Sequence, residues 1–209
     1  MTAKTPTKEA ARLAALEQYN ILDTPPEQSY DDITSLAAFI CDVPIALISL
    51  VDADRQWFKS KVGIDVRETS RDVSFCAHAI AGTDIMVVND ALEDERFSEN
   101  QLVTCAPNIR FYAGVPLVTP EGHPLGTLCV IDHQPRELSD HQIKTLKSLA
   151  RQVVTQLELQ RVSAQLADAL EKIRLTAGSG PHLPFPERPR KDGRLLGNRA
   201  EFIVPFSGL

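Results

Sequence analysis

The stretch Arg110 to Asp132, RFYAGVPLVTPEGHPLGTLCVID, constrains this chain more than any other. It reads as two strands joined by a tight hairpin. In the first, Phe111, Ala113, Val115 and Leu117 alternate with Tyr112, Gly114, Pro116 and Val118, the period of two of a pleated strand. In the second, Leu125, Thr127, Cys129 and Ile131 alternate with Gly126, Leu128, Val130 and Asp132. Thr119-Pro120-Glu121-Gly122 between them suits a type I turn closed by a left-handed glycine. Both strands are apolar on both faces, so they belong in the middle of a sheet covered on both sides. Gly114 and Gly126 remove side chains there, which marks either close packing or an approaching ligand.

Around that hairpin the chain alternates short helices and strands. Lys8 to Asn20 has helical spacing, after a loose terminus over residues 1–7. Thr24-Pro25-Pro26-Glu27 reads as a capping box opening a helix with Tyr30, Ile33, Ala37 and Ile40 on one face, closed before Pro44. Ile45 to Asp52 is a central strand, and Gln56 to Val62 is its partner, with Phe58 and Val62 on one face and Trp57 on the other. Arg71 to Ala81 reads as one helix ended by Gly82, and Ile85 to Asn89 as a short strand. Ser98 with Gln101, and Ser139 with Gln142, read as two further capping boxes. The second opens a helix running without Gly or Pro to about Ala177. Hairpin-linked neighbours predict an α+β domain, a central antiparallel β-sheet flanked by helices.

Composition narrows the setting. A 43% hydrophobic chain of 209 residues can bury one domain with extensions. There is no apolar run of about 18 residues and no signal-peptide segment, so the expected location is the cytoplasm, with no membrane contact. A net charge of -6 argues against a nucleic-acid surface. Cys41, Cys76, Cys105 and Cys129 are widely spaced, which fits reduced thiols rather than a metal site or a disulfide framework.

The motifs RQWFKSKVG, SFCAHAI, DERFSENQLV, RFYAGVPL and GTLCVID, in this order and spacing, resemble GAF domains over roughly Arg12 to Val162. The similarity is greatest to those at the N-terminus of bacterial sensor histidine kinases and diguanylate cyclases. The resemblance implies a PAS-like fold and a non-enzymatic sensory module that binds an unknown small molecule in an interior pocket. By it, Phe75, His78, Phe97, Phe111, Tyr112 and Asp132 would lie near that pocket. It names no cofactor. Cys105 departs from the pattern, standing where a small turn residue is expected.

Three chemical readings compete with a plain sensor. Free-methionine-sulfoxide reductases are GAF domains with thiol chemistry, so Cys76 and Cys105 are the candidate redox residues of a reductase or thiol sensor. Their second motif, a cysteine followed by aspartate, is not present here. Cys76 and His78, two apart on a helix, point to nearly opposite sides, which disfavours a nucleophile with its base. Arg110 is the one cation placed to lower the pKa of Cys105. Chromophore attachment of the phytochrome type needs a Cys-His pair, and none occurs. Cyclic-nucleotide binding rests on Asp94, Arg96 and Asn100, which equally suit a capped loop.

The expected organisation is a GAF domain over 8–158, a coiled-coil extension over 159–177 and a Pro/Arg-rich tail over 178–209. Leu159, Val162, Leu166, Ala169 and Ile173 repeat at alternating three- and four-residue intervals, a seam for a homodimer. The tail resembles no output domain, so a separate partner such as a kinase or cyclase is expected to receive the signal. A structural dimerisation unit with a closed cavity is the remaining alternative.

Overall fold

The computed structural model describes residues 6–177; the tail expected over 178–209 lies outside them. The chain divides into two units, Met1–Leu170 and Glu171–Leu209. The first holds helices α1 (Pro6–Gln18), α2 (Gln28–Cys41), α3 (Phe75–Ala79) and α4 (Gln101–Thr104). Its strands are β1 (Ile45–Val51), β2 (Arg55–Val62), β3 (Glu68–Ser70), β4 (Met86–Val88), β5 (Phe111–Val118) and β6 (Pro124–Asp132). Helix α5 spans Asp140–Ala177, so its last turns, from Glu171, fall in the second unit. No helix among the described residues is long and apolar enough to cross a membrane.

The strands form one antiparallel sheet in the order β3-β2-β1-β6-β5-β4, an α+β architecture with the predicted hairpin near its centre. At the turn, Gly122 has φ +87° and donates its N–H to the Thr119 carbonyl. Burial on both faces makes two cores. One joins Ala46, Ile48, Trp57, Phe111, Ala113 and Val130 to α1, α2 and α5, through residues such as Leu16, Ala37 and Val153. The other joins Leu47, Phe58, Tyr112, Cys129 and Ile131 to α3 and the segment around Phe97.

Four local expectations are corrected. Helix α2 starts at Gln28, with Glu27 at its N-cap and no side-chain cap. The Thr24 hydroxyl instead donates to the Ile21 carbonyl and accepts from Lys59 Nζ, which turn it away from the helix start. Residues 71–81 are not one helix. A 3-10 turn at Arg71–Val73 ends at an extended Ser74, whose hydroxyl then caps α3 by accepting from Ala77 N. Asn100 rather than Ser98 caps α4, accepting from Leu102 N at 2.8 Å. Finally, the β1–β2 register skips Lys59, a bulge that puts Trp57 and Val62 on one core and Phe58 in the other.

Helix α1 is fastened by charge. Arg12, almost fully buried, donates to the Val51 carbonyl and to Glu9, and Arg71 reaches the same Glu9 carboxylate at 2.8 Å. The hydrogen bond from Arg12, followed by that from Arg71, holds the Glu9 carboxyl at about 2, against burial that raises it. Because this folded value lies below the ordinary 4.5, the stabilisation is complete above pH 4.5 and fades as pH falls towards 2. The protection of the α1 amides against hydrogen exchange, taken relative to their intrinsic rates at each pH, should therefore fall across that window ahead of that of the β5 and β6 amides. An equal loss of protection in both would show that Glu9 does not hold the helix.

Candidate functional site

The second core contains the residues with chemistry. Because Tyr112 and Gly114 share a face of β5, the tyrosine ring can fold over the glycine. A Cβ on Gly114 would lie 2.1 Å from the Tyr112 hydroxyl. That hydroxyl thereby reaches across to α3 and donates to Cys76 Sγ at 3.5 Å. From β6, Thr127 donates its hydroxyl to the same sulfur at 3.2 Å, and Cys129 brings its own Sγ to 3.9 Å. All four side chains are buried.

A second polar layer supports this one. Gln56 of β2 accepts from the hydroxyls of Ser49 and Ser74 and donates to Thr69 at 2.6 Å. No buried side-chain nitrogen or oxygen among the described residues lacks a partner. Hydrogen bonding from Cys129, then from Thr127 and Tyr112, draws the Cys76 thiol below its ordinary range, against burial that pushes it up. The same contact raises Cys129, because its thiol proton is held by Cys76. Burial raises Tyr112 far above its usual value, so its hydroxyl remains a donor.

Rings close the space above these thiols. Phe75 stacks on Phe97 with centroids 4.0 Å apart and planes at 11°, and Tyr112 lies 5.2 Å from Phe75. His78 is exposed at the rim, edge-on to Phe97 at 4.9 Å, with Nδ1 3.1 Å from the Ser74 carbonyl.

A family model described as the GAF domain matches residues 25–157. The chain belongs to the GAF family. It is 42% identical over 157 residues to a cyclic di-GMP phosphodiesterase of Pseudomonas aeruginosa, a match covering 75% of this chain. It spans only 27% of that relative. Among solved structures it is similar to the blue-light absorbing form of the PixJ GAF domain of Thermosynechococcus elongatus. That likeness has 14% identity and a TM-score of 0.53, over 82% of this chain and 98% of the other. It is similar too to the free methionine-R-sulfoxide reductase of Neisseria meningitidis, solved with its substrate. Here the identity is 14% and the TM-score 0.53, over 78% of this chain and 97% of the other. At such identities the likeness is one of fold. As a GAF domain, the chain is a sensory module of the kind used in signalling.

Of the pocket residues that the GAF resemblance implies, the structure gathers Phe75, Phe97 and Tyr112, with His78 at the edge. Phe111 belongs to the opposite core, against the long helices. Asp132 ends β6, where it accepts from Arg136 Nε and from Gln134 N. Cys76 is at the centre of the thiol cage, whereas Cys105 is exposed. Arg110, the cation expected to activate Cys105, is ion-paired to Asp90. Ser49, Gln56, Thr127 and Cys129 were not singled out from the sequence as site residues. Their signal is polarity inside apolar strands: Ser49 interrupts IALISLV, and Thr127 and Cys129 share one face of GTLCVID.

Proposed function

We propose that this GAF domain is a non-catalytic signalling module that works as a parallel homodimer joined along α5. The supporting observation is where the helix stops being covered. Up to Arg161 the body clasps it: Tyr19 donates to Glu158, Tyr30 donates to Gln160 at 2.9 Å, and Arg161 pairs with Glu121 of the β5–β6 turn at 3.8 Å. Leu159, Val162, Leu166 and Ile173 are nevertheless 60%, 52%, 59% and 63% exposed, and Ala169 is exposed as well. An exposed apolar stripe at heptad spacing is marginal alone and is satisfied by a second copy. The identity to part of a cyclic di-GMP phosphodiesterase supports turnover of such a nucleotide messenger as the output under control.

Replacing Leu166 and Ile173 together by glutamate should shift the assembly to monomer in light scattering, because facing carboxylates would be desolvated without partners. The far-ultraviolet dichroism of the body should hardly change. An unchanged dimer mass would remove the seam from the mechanism.

A small-molecule seat in the second core requires Phe97 to part from Phe75, since their rings fill that space. This filled interior favours a second reading, a dimerisation unit without ligand. A thermal-shift screen of metabolites separates the two, because a ligand of the folded state raises the melting temperature with the logarithm of its concentration. Suppression of that shift by Phe97→Ala assigns the seat. No shift with any compound leaves the dimerisation unit.

A further inference from the structure

We infer that Cys76 and Cys129 form a peroxide-reactive dithiol site, Cys76 attacking and Cys129 resolving, inside the second core. The site is separate from the α5 seam and needs neither a dimer nor a bound metabolite.

The surroundings of Cys76 differ from those of an ordinary core cysteine. Cys41, buried among apolar side chains of the other core, has its thiol pushed up to about 11 by burial. Cys76 is equally buried, yet its sulfur receives hydroxyl hydrogen bonds from Thr127 and Tyr112 and faces a second thiol. Hydroxyls aimed at one sulfur favour its thiolate, the form that attacks an oxidant. Gly114 is part of the same device, since any side chain there would displace the Tyr112 hydroxyl. The two sulfurs, 3.9 Å apart, come from residues 53 positions apart in sequence. Closing that gap to a bond of about 2.05 Å needs an approach of roughly 2 Å, within reach of side-chain rotation and a small shift of α3.

The chemistry balances with a hydroperoxide as oxidant. The Cys76 thiolate attacks the O–O bond; an S–O bond forms, and the departing hydroxide (or alkoxide) takes up a proton. Cys129 sulfur then attacks the resulting sulfenic acid. An S–S bond forms, the S–O bond breaks, and water leaves with the Cys129 proton. Two thiols are oxidised and one peroxide is reduced, once per protein molecule, until a reductant restores the pair. Hydrogen peroxide is hardly larger than water. Its approach requires only local opening of α3, a five-residue helix whose Ala77 and Ile80 line a solvent cleft of about 830 Å³. The disulfide would pin α3 to β6 and take the acceptor away from two buried hydroxyls. The oxidation state thus reaches Phe75 and the ring stack it makes with Phe97.

The test is peptide mass mapping of the wild-type full chain after hydrogen peroxide under native conditions, with free thiols alkylated and no reductant. The expected product is a Cys76–Cys129 cross-link lacking two hydrogens. It should form about tenfold or more faster in the folded chain than in urea, where the two thiols are no longer held together. In Cys129→Ser, dimedone should trap a sulfenic acid at Cys76. Tyr112→Phe and Thr127→Val should each move the pH midpoint of Cys76 oxidation upward, an effect that lost packing alone does not produce. The proposal is overturned if folded wild type keeps both thiols alkylatable while Cys105 oxidises. It also fails if the cross-link forms no faster than in urea. The mapping on wild type decides even if a variant does not fold.

Discussion

Gly126→Ala should destabilise the fold by about 4 kcal/mol or more, a large effect for a single methyl group. A Cβ at this position would lie 1.9 Å from the Ser49 carbonyl oxygen and 2.8 Å from Leu50 Cα. Both are backbone atoms of β1, the strand hydrogen-bonded to β6 in the middle of the sheet. No rotamer can relieve such a contact, and separating the strands would break ladder bonds covered by a core on each face. Gly122→Ala is the control. Nothing lies within 4 Å of its Cβ, so only its φ of +87° resists substitution, at about 1 kcal/mol. The urea midpoints of the two variants, at unchanged m-value, make the comparison. A loss at Gly126 no greater than at Gly122 would mean that β1 and β6 part freely.

The second large effect comes from the β2 bulge. Lys59 has a side chain with 0% exposure, yet its ammonium is fully partnered, donating to Thr24 Oγ1, the Pro25 carbonyl and Glu27 Oε1 at 2.7, 2.8 and 2.6 Å. Glu27 also accepts from Gln160 of α5, so one carboxylate links β2, the start of α2 and α5. Glu27→Ala leaves a buried ammonium with only two neutral acceptors and should cost about 3 kcal/mol. Lys59→Met should cost about 1 kcal/mol, because the released acceptors sit on partly exposed residues that water can reach. The order of the two losses, read from urea unfolding, is the test. The reverse order would place the stabilisation in the lysine's packing rather than in its charge pairing.

These two sites differ in how readily the sequence reveals them. Gly126 was visible as a missing side chain in an apolar strand, although only the structure shows that the β1 backbone, and not a ligand, occupies the space. Lys59 was invisible, because strict alternation along Gln56 to Val62 gives no sign of an inserted residue. The bulge turns Lys59 and Ser60 both towards α2, where Ser60 meets Thr34 at 2.6 Å. The split of residues 71–81 was hidden similarly. A serine's choice between continuing a helix and capping the next one is made by its surroundings, here by Gln56 accepting from Ser74.

What the sequence determined by itself is what depends on neighbours along the chain. The central hairpin, its turn at Gly122, the Ser139–Gln142 capping box and the apolar stripe of α5 all follow from spacings of a few residues. The family motifs carried the aromatic side chains of the second core for the same reason. Only the tertiary structure decided which of them meet. It packed Phe111 against the long helices and Tyr112 against α3 and the segment around Phe97, and it brought Cys76 and Cys129 to 3.9 Å. The reason is physical: a pleated sheet buried on both faces makes two separate interiors. Alternation assigns a strand's residues to one face or the other, but bulges shift that assignment and long-range pairing decides which elements meet in each interior, and no local pattern encodes these.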